Sequence, residues 1–275
     1  GNAVAVFDSS EYFLFYGQSP IRWTYNAAAA CNKFKHNIHQ YSDTTYYFIT
    51  ADLGIGKRIL NQASSGSAPT SIVTTFDDYA YYENDAVNLI KSGREWYGEQ
   101  FDIITTYTST FNFPNILTTS PVSVVVDLAA RADSPGSQYV ISSGTASALL
   151  NPAAVATSCY YCLYATTGNG CLSYNPSSPA ISVTITKNTP SPAVGWLNYV
   201  EVNARRQLIM TGSQMTFRDA PSVGIGNIAQ FNLTNATSTL QVWDVTDPTS
   251  VLLQQGTLAV PNFTFNLAVD SLREF

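Results

Sequence analysis

The sequence predicts a mainly β protein: an antiparallel β-sandwich of jelly-roll or Ig-like type, preceded by a smaller, partly irregular β-rich subdomain with one short helix. Three observations lead there. Period-two alternation recurs along the chain, as in ISVTIT (181–186) and NFTFNLAV (262–269), where Phe263, Phe265, Leu267 and Val269 share one face. Turn-forming clusters separate such runs: ADSPGS, TTGNG, NPSSP, KNTPSP, RDAPSVGIGN and TDPTS. Only ENDAVNLIKSG (83–93) has helical spacing, with Ala86, Leu89 and Ile90 on one face, Asn84 or Asp85 to cap it and Gly93 to end it.

In chain order, the strand candidates are YFLFY (12–16), TYYFIT (45–50), IITTYTST (103–110), VSVVVDLAAR (122–131), ISVTIT, WLNYVEV (196–202), RQLIMT (206–211), IAQFNL (228–233), TLQVWDV (239–245) and NFTFNLAV. The strand spacing changes near residue 104. Residues 1–104 are read as the irregular subdomain and 105–275 as the sandwich.

Composition narrows the function. The chain of 275 residues is 45% hydrophobic, so a sizeable core is possible, and it carries a formal net charge of −6. No basic stripe is present; the adjacent basic pairs are Lys57-Arg58 and Arg205-Arg206, so a nucleic-acid partner is not expected. No apolar run reaches the ~18 residues that cross a bilayer as a helix. From Ser134 to Val200 the single charged residue is Lys187, and the stretch is rich in Ser, Thr, Ala, Asn and Tyr, a composition that suits an exported protein.

One segment departs from this low charge. KSGREWYGEQFD (91–102) carries Lys91, Arg94, Glu95, Glu99 and Asp102 together with Trp96, Tyr97 and Phe101, in a chain only 12% charged. Arg94, Glu95, Trp96, Tyr97 and Glu99 are read as a structural knot or interface. Trp96 is expected to be buried, and Arg94 to bond Glu95, Glu99 or carbonyls with its planar fork.

The cysteines are Cys31, Cys159, Cys162 and Cys171. A zinc site on C-x-x-C would need further ligands, and His36 and His39 lie more than a hundred residues away. A hairpin turning through TTGNG would set Cys162 opposite Cys171, either as a disulfide or as a free pair.

Catalytic patterns are sparse. G-x-S-x-G and HE-x-x-H are absent, and both histidines sit in KFKHNIHQY, which reads as an exposed polar turn. Glu83, Asp85, Glu95 and Glu99 are the carboxylates a glycosidase would need, with nothing fixing their geometry. Asp77, Asp78, Glu83 and Asp85 match no standard calcium loop. The Gly54/Gly56 and Gly224/Gly226 pairs lack a βαβ context. N-x-[ST] triplets at Asn232, Asn235 and Asn262 are expected by chance in an Asn- and Thr-rich chain. No catalytic residue, cofactor or metal ligand is assigned.

Three blocks carry a resemblance: FLFYGQSPIRWTYN (13–26) with YSDTTYYFIT (41–50), YYENDAVNLIKSGREWYGEQF (81–101) and WLNYVEVNARRQLIMTGSQMTFR (196–218). In that order and spacing the chain resembles the region preceding the catalytic domain in the PorU family, the gingipain-like cysteine peptidases that act as sortases of the type IX secretion system in Bacteroidetes. Residues 134–190 contribute no motif to it. The resemblance implies a parent at the cell surface or periplasmic side of the outer membrane, held there by a PorV-like β-barrel protein. Such a parent removes C-terminal sorting domains from exported proteins and joins the new end to an anionic lipopolysaccharide. It also implies a peptidase domain after residue 275 that carries the catalytic His and Cys, so none of the four cysteines here matches the family nucleophile. The alternative is a free-standing adhesin or glycan-binding sandwich, with Trp23 and Tyr25 as exposed sugar platforms.

Overall fold

The structure is a computed structural model that describes residues 14–50, 54, 56–91, 94–189 and 192–275. The strands in chain order are β1 (Arg22–Tyr25), β2 (Phe34–Asn37), β3 (Leu60–Gln62), β4 (Ser71–Val73), β5 (Thr75–Glu83), β6 (Gln100–Phe101), β7 (Thr106–Asn112), β8 (Val122–Arg131) and β9 (Tyr139–Ser143). They continue with β10 (Ala146–Leu150), β11 (Thr166–Tyr174), β12 (Ala180–Lys187), β13 (Val194–Gln207), β14 (Ile228–Leu233), β15 (Val242–Asp244), β16 (Leu252–Gln254), β17 (Thr257–Ala259) and β18 (Asn262–Ala268).

Two sheets face each other as the sandwich. One runs β10-β9-β12-β7; the other runs β11-β8-β13-β5, with β6 also paired to β13. Every second residue of β8, Val122, Val124, Val126 and Leu128, points inward to meet Tyr139, Ile141, Ile181, Val183 and Ile185 of the opposite sheet. Val200 and Val202 of β13 join the same core.

A second core lies beside the first. It is built on β17-β18-β14-β4 with the small sheet β15-β16-β3. Phe231 stacks on Phe265 at 4.9 Å between ring centres, and Phe217 on Phe275 at 4.8 Å. Strands β3, β4 and β5, from the first 104 residues, serve three different sheets, and Phe76 at the start of β5 belongs to the second core. The two cores therefore divide the chain otherwise than at residue 104.

Several expectations need correction. Residues 83–91 form no helix, and 92 and 93 lie outside the described residues; the one helical turn among the described residues is the 3-10 turn Ala220–Ser222, capped by the Asp219 side chain accepting from Ser222 N at 3.0 Å. Val87 and Tyr97 instead form an antiparallel bridge, each N–H donating to the other's carbonyl at 2.8 Å. A two-turn helix is marginal by itself, and the buried Tyr97 gives its segment a better anchor. Residues 45–50 and the described part of 12–16 are not strands; residues 12 and 13 lie outside the described residues.

TTGNG is not a turn but the first half of β11, paired with β8 from Thr166↔Ala130 onward. Its glycines serve close approach between the sheets: a Cβ at Gly170 would come within 2.4 Å of Ile141 Cδ1 in the facing sheet. The cysteine pairing changes with it. Cys171 lies within a strand, where it bonds Cys31, while Cys159 bonds Cys162 in the preceding loop. The expected Cys162–Cys171 pair does not exist.

Candidate functional site

Register places a second set of residues on the outer face of β11-β8-β13-β5. Tyr199 stands opposite Asp127 on one side and Glu83 on the other; Glu201 stands opposite Val125 and Tyr81; Asn203 stands opposite Ser123 and Tyr79. A strand alternates its side chains between faces, so VEVNAR sends Val200, Val202 and Ala204 inward and Glu201, Asn203 and Arg205 outward. This outer face is covered, not solvated. The β1–β2 hairpin lies across it and the 84–99 segment covers its far end.

The hairpin is held by polar groups in unusual density. Asn203 acts as a piece of strand: its Oδ1 accepts from Phe34 N at 2.8 Å and its Nδ2 donates to Phe34 O at 3.0 Å. Glu201, only 2% exposed, accepts from His36 N at 2.9 Å. The His36 ring contacts carboxylates at both nitrogens, Nδ1 on Glu201 Oε1 and Nε2 on Glu83 Oε2 at 2.5 Å. Carboxylates at both nitrogens give each ring N–H an acceptor when both are protonated, an arrangement that favours the imidazolium form. Burial by itself holds its pKa down, but the bonds to Glu201 and Glu83 and their charges outweigh that and raise it. Trp23 stacks on Tyr79 at 3.8 Å and His36 on Tyr81 at 4.5 Å, and the Cys31–Cys171 disulfide ties the hairpin to the sheet edge. His36 is thus not in an exposed turn. Trp23 and Tyr25 are half-buried, Tyr25 lying against Phe34, so they are not free sugar platforms.

Between the hairpin and the 84–99 segment lies an open cleft of about 450 Å³, bordered by Lys35, Glu83, Asp85, Arg94, Glu95 and Trp96 among others. Burial, followed by the charges of Glu83 and Glu95, raises the Asp85 pKa; burial also raises that of Asp127, against the hydrogen bond from Asn198 at 2.9 Å. The knot residues separate here. Tyr97 is buried at 6% exposure and packs on Trp196 and Ala129, whereas Trp96 is 44% exposed on the cleft. Arg94 is exposed on the rim and makes no hydrogen bond or ion pair among the described residues. Glu95 Oε2 accepts from Asn198 Nδ2 at 3.5 Å, and Glu99 Oε1 accepts from the Tyr82 hydroxyl. The ring expected to be buried is exposed and its neighbour is buried, because alternation along an extended segment turns only one of them to the sheet.

A second charged layer joins the two cores. Arg205 pairs with Asp77 at 3.0 Å and Asp219 at 2.7 Å; Arg206, facing the other way, pairs with Asp78 at 2.7 Å. Arg218, fully buried, binds Glu274 at 2.5 Å and lies over the Tyr79 ring at 4.3 Å. Adjacent acids in FDDY thus answer adjacent arginines in NARRQ across β5 and β13. Asp77 and Asp78 point to opposite faces, so the calcium loop weighed for this segment cannot form, and among the described residues no group of acids, histidines or cysteines is arranged to hold a metal.

Together these features define a two-core, mainly antiparallel β protein, its sandwich closed on one outer face by a disulfide-tethered hairpin. Among solved structures, the chain is similar to dimeric latent PorU from Porphyromonas gingivalis, with a TM-score of 0.81 and 20% identity over 95% of its length. It spans 26% of that PorU chain. A pentameric capsid protein isolated from metagenomic phage sequences also aligns, at 18% identity over 39% of this chain and 64% of its own, but its TM-score of 0.21 carries no weight. No protein-family model matches, and no curated protein does. The PorU resemblance read from the sequence is borne out as a shared fold. Its three blocks meet in space: the first supplies β1, the second the end of β5 and the 84–99 segment, and the third β13, all on the covered outer face.

Proposed function

We propose that this chain is a non-catalytic, pre-catalytic region of a sortase-like cysteine peptidase of the type IX secretion system, which holds the peptidase domain or its partners in position. The observation that carries the reading is the PorU fold across 95% of the chain. In this reading the parent removes C-terminal sorting domains from exported proteins and attaches them to the cell surface. A PorV-like outer-membrane barrel and a downstream peptidase domain are its partners.

The chemistry of the chain supports a supporting role. A cysteine nucleophile must be a thiolate, and all four cysteines are paired as disulfides. Cys31, five residues before His36, is spent in the hairpin tether. His36 has no free nitrogen with which to accept a proton. Two disulfides also suit an oxidising compartment, periplasm or cell surface.

The test uses the full-length parent. Cys31 with Cys171, and Cys159 with Cys162, are replaced pairwise by Ser, folding is confirmed by melting temperature, and release of the sorting domain is assayed. Cleavage should survive in every variant that folds. A folded variant unable to cleave would place the active site within this chain.

A further inference from the structure

Two of the three Asn-x-Ser/Thr triplets come together in the fold. Asn232-Leu-Thr234 runs along the end of β14 and Asn262-Phe-Thr264 along the start of β18, and the strands pair antiparallel with Asn232 opposite Thr264. Leu233 and Phe263 point into the second core, so the Asn and Thr residues of both triplets lie on the opposite face of the sheet. There they meet the β4–β5 link and the segment after β13, and enclose an open cleft of about 780 Å³ between the two cores. The third triplet lies apart from this cleft lining, with Asn235 Nδ2 donating to Met210 O at 2.8 Å.

We propose that this cleft is a binding site for a neutral carbohydrate. Its lining contains no charged residue, although the chain has 32 of them by the sum of 13 basic and 19 acidic residues. An anion would find no cation here, and a cation no carboxylate, so either would lose hydration without compensation. What the cleft offers is the amides of Gln207, Gln230, Asn232 and Asn262 and the hydroxyls of Thr234 and Thr264. Amides and hydroxyls both donate and accept, which is the pattern sugar hydroxyls match. Leu117 and Ile209 add apolar surface for the C–H faces of a pyranose. Asn232 Oδ1 is buried without a hydrogen-bond partner in the fold, and a rotation of the side chain toward the cleft would let a sugar hydroxyl donate to it.

The sheet itself argues against an added peptide strand at this place. β14 is paired with β18 on one side and β4 on the other, so its backbone groups are taken and only its side chains can meet a ligand. No aromatic ring lines the cleft. Binding then rests on hydrogen bonds without stacking, and a dissociation constant on the order of 1 mM follows. The proposal is independent of the secretion reading.

The experiment is a side-chain amide NMR titration of the 275-residue chain with maltotriose, cellotriose and chitotriose, one at a time, to about ten times that constant. At least one trisaccharide should shift the Asn232 and Gln230 amide signals saturably. The effect should fall at least about tenfold in affinity in Thr264→Val, and likewise for the Gln230 signal in Asn232→Ala. Both positions are off the core, and unchanged melting temperatures confirm the fold. No saturable shift with any of the three sugars overturns the proposal. So do shifts that persist undiminished in both variants, which would place binding elsewhere, such as on the exposed rings of Tyr160 and Tyr161. Equal binding of glucuronate, or preferential binding of an extended Thr-Ala hexapeptide, overturns it too.

Discussion

The two faces of the β11-β8-β13-β5 sheet are made by the same strands and held by different physics. Inward, Val122, Val124, Val126, Leu128, Val200 and Val202 are fully buried hydrocarbon. Each contributes a transfer free energy of about 1.5–3 kcal/mol without regard to direction. Outward, Asp127, Tyr199, Glu201, Asn203, Arg205 and Glu83 are covered while remaining polar. Such groups add little net stability even when paired, because desolvation cancels much of their attraction. What they add is placement. Asn203 accepts one register of the β1–β2 hairpin, and Glu201 with Glu83 accepts only a ring that donates from both nitrogens. The inner face makes the sandwich stable; the outer face decides what lies on it and where.

The largest effect expected from separating the two concerns the tether. Cys31 and Cys171 close a loop across 140 residues, Cys159 and Cys162 across 3. By loop-closure entropy, removing the first should cost about 5 kcal/mol and the second about 2 kcal/mol. Denaturant titration of the two double Cys→Ser variants measures both. Equal losses would mean that the hairpin keeps its place in the unfolded ensemble without the bond.

Next comes Glu201→Ala. It strips one carboxylate from His36 and leaves the ring charge buried beside Glu83 alone, a loss of about 3–5 kcal/mol. Replacing His36 and Glu201 together by Leu should recover much of this, whereas Leu128→Ala on the inner face costs about 2–5 kcal/mol with no such rescue available. If the double variant is as unstable as the single, the outer face is stabilised by its ion pair and not merely ordered by it.

The inner face was legible in the sequence and the outer face was not, for a physical reason. ISVTIT, NFTFNLAV and VSVVVDLAAR show period two because water on one side and hydrocarbon on the other impose it. WLNYVEVNARRQ shows the same alternation and forms one strand, where the sequence reading has two candidates, 196–202 and 206–211, because the polar Asn203 and Arg205 look solvated in one dimension. Their cover is the β1–β2 hairpin, more than 160 residues earlier in the chain, and no local pattern announces it. The glycines of TTGNG misled in the same way: they look like a turn until the facing sheet supplies Ile141. Of the knot, the concentration of charge and rings was legible. Which ring it buries was not, because that depends on the bridge between Val87 and Tyr97.

A smaller effect separates the faces by pH. The groups around the His36 ring are Glu201 and Glu83 at its nitrogens, Tyr81 and Tyr199 at its faces, and Asp85 and Lys35 nearby. Its pKa is raised on folding from the ordinary 6.5. A raised cation pKa means that stability is fully present below 6.5 and is lost as pH rises through the folded value. Asp85 and Asp127, whose carboxyl pKa values are raised by burial, act in the same direction, favouring the fold as pH falls through their own values. The melting temperature of the wild type should therefore fall as pH rises above the ordinary 6.5 and through the raised folded value, and that of His36→Gln should fall less over the same range. Parallel curves for the two proteins would show that the ring is not charged in the fold.

The smallest expected effect is Trp96→Ala, and it tests the outer face where its cover ends. Trp96 borders the cleft with nearly half its surface in water, and among the described residues no ring–ring contact or hydrogen bond of its side chain holds it to the sheet. The anchoring in this segment comes from Tyr97, whose ring packs on Trp196 and Ala129 while its backbone bridges Val87. Removing Trp96 should change stability by no more than about 0.5 kcal/mol, the range of surface substitutions away from special features. Thermal melting of the single variant against wild type is sufficient to see it. A loss above about 2 kcal/mol would show that Trp96 belongs to the cover and that the cleft beside it is closed in solution. An unchanged melt leaves a large exposed ring at the junction of hairpin and sheet, on the same cleft rim as the exposed Arg94. Trp and Arg are enriched where one protein surface meets another, and under the proposed supporting role the same substitution would weaken that contact without unfolding the chain.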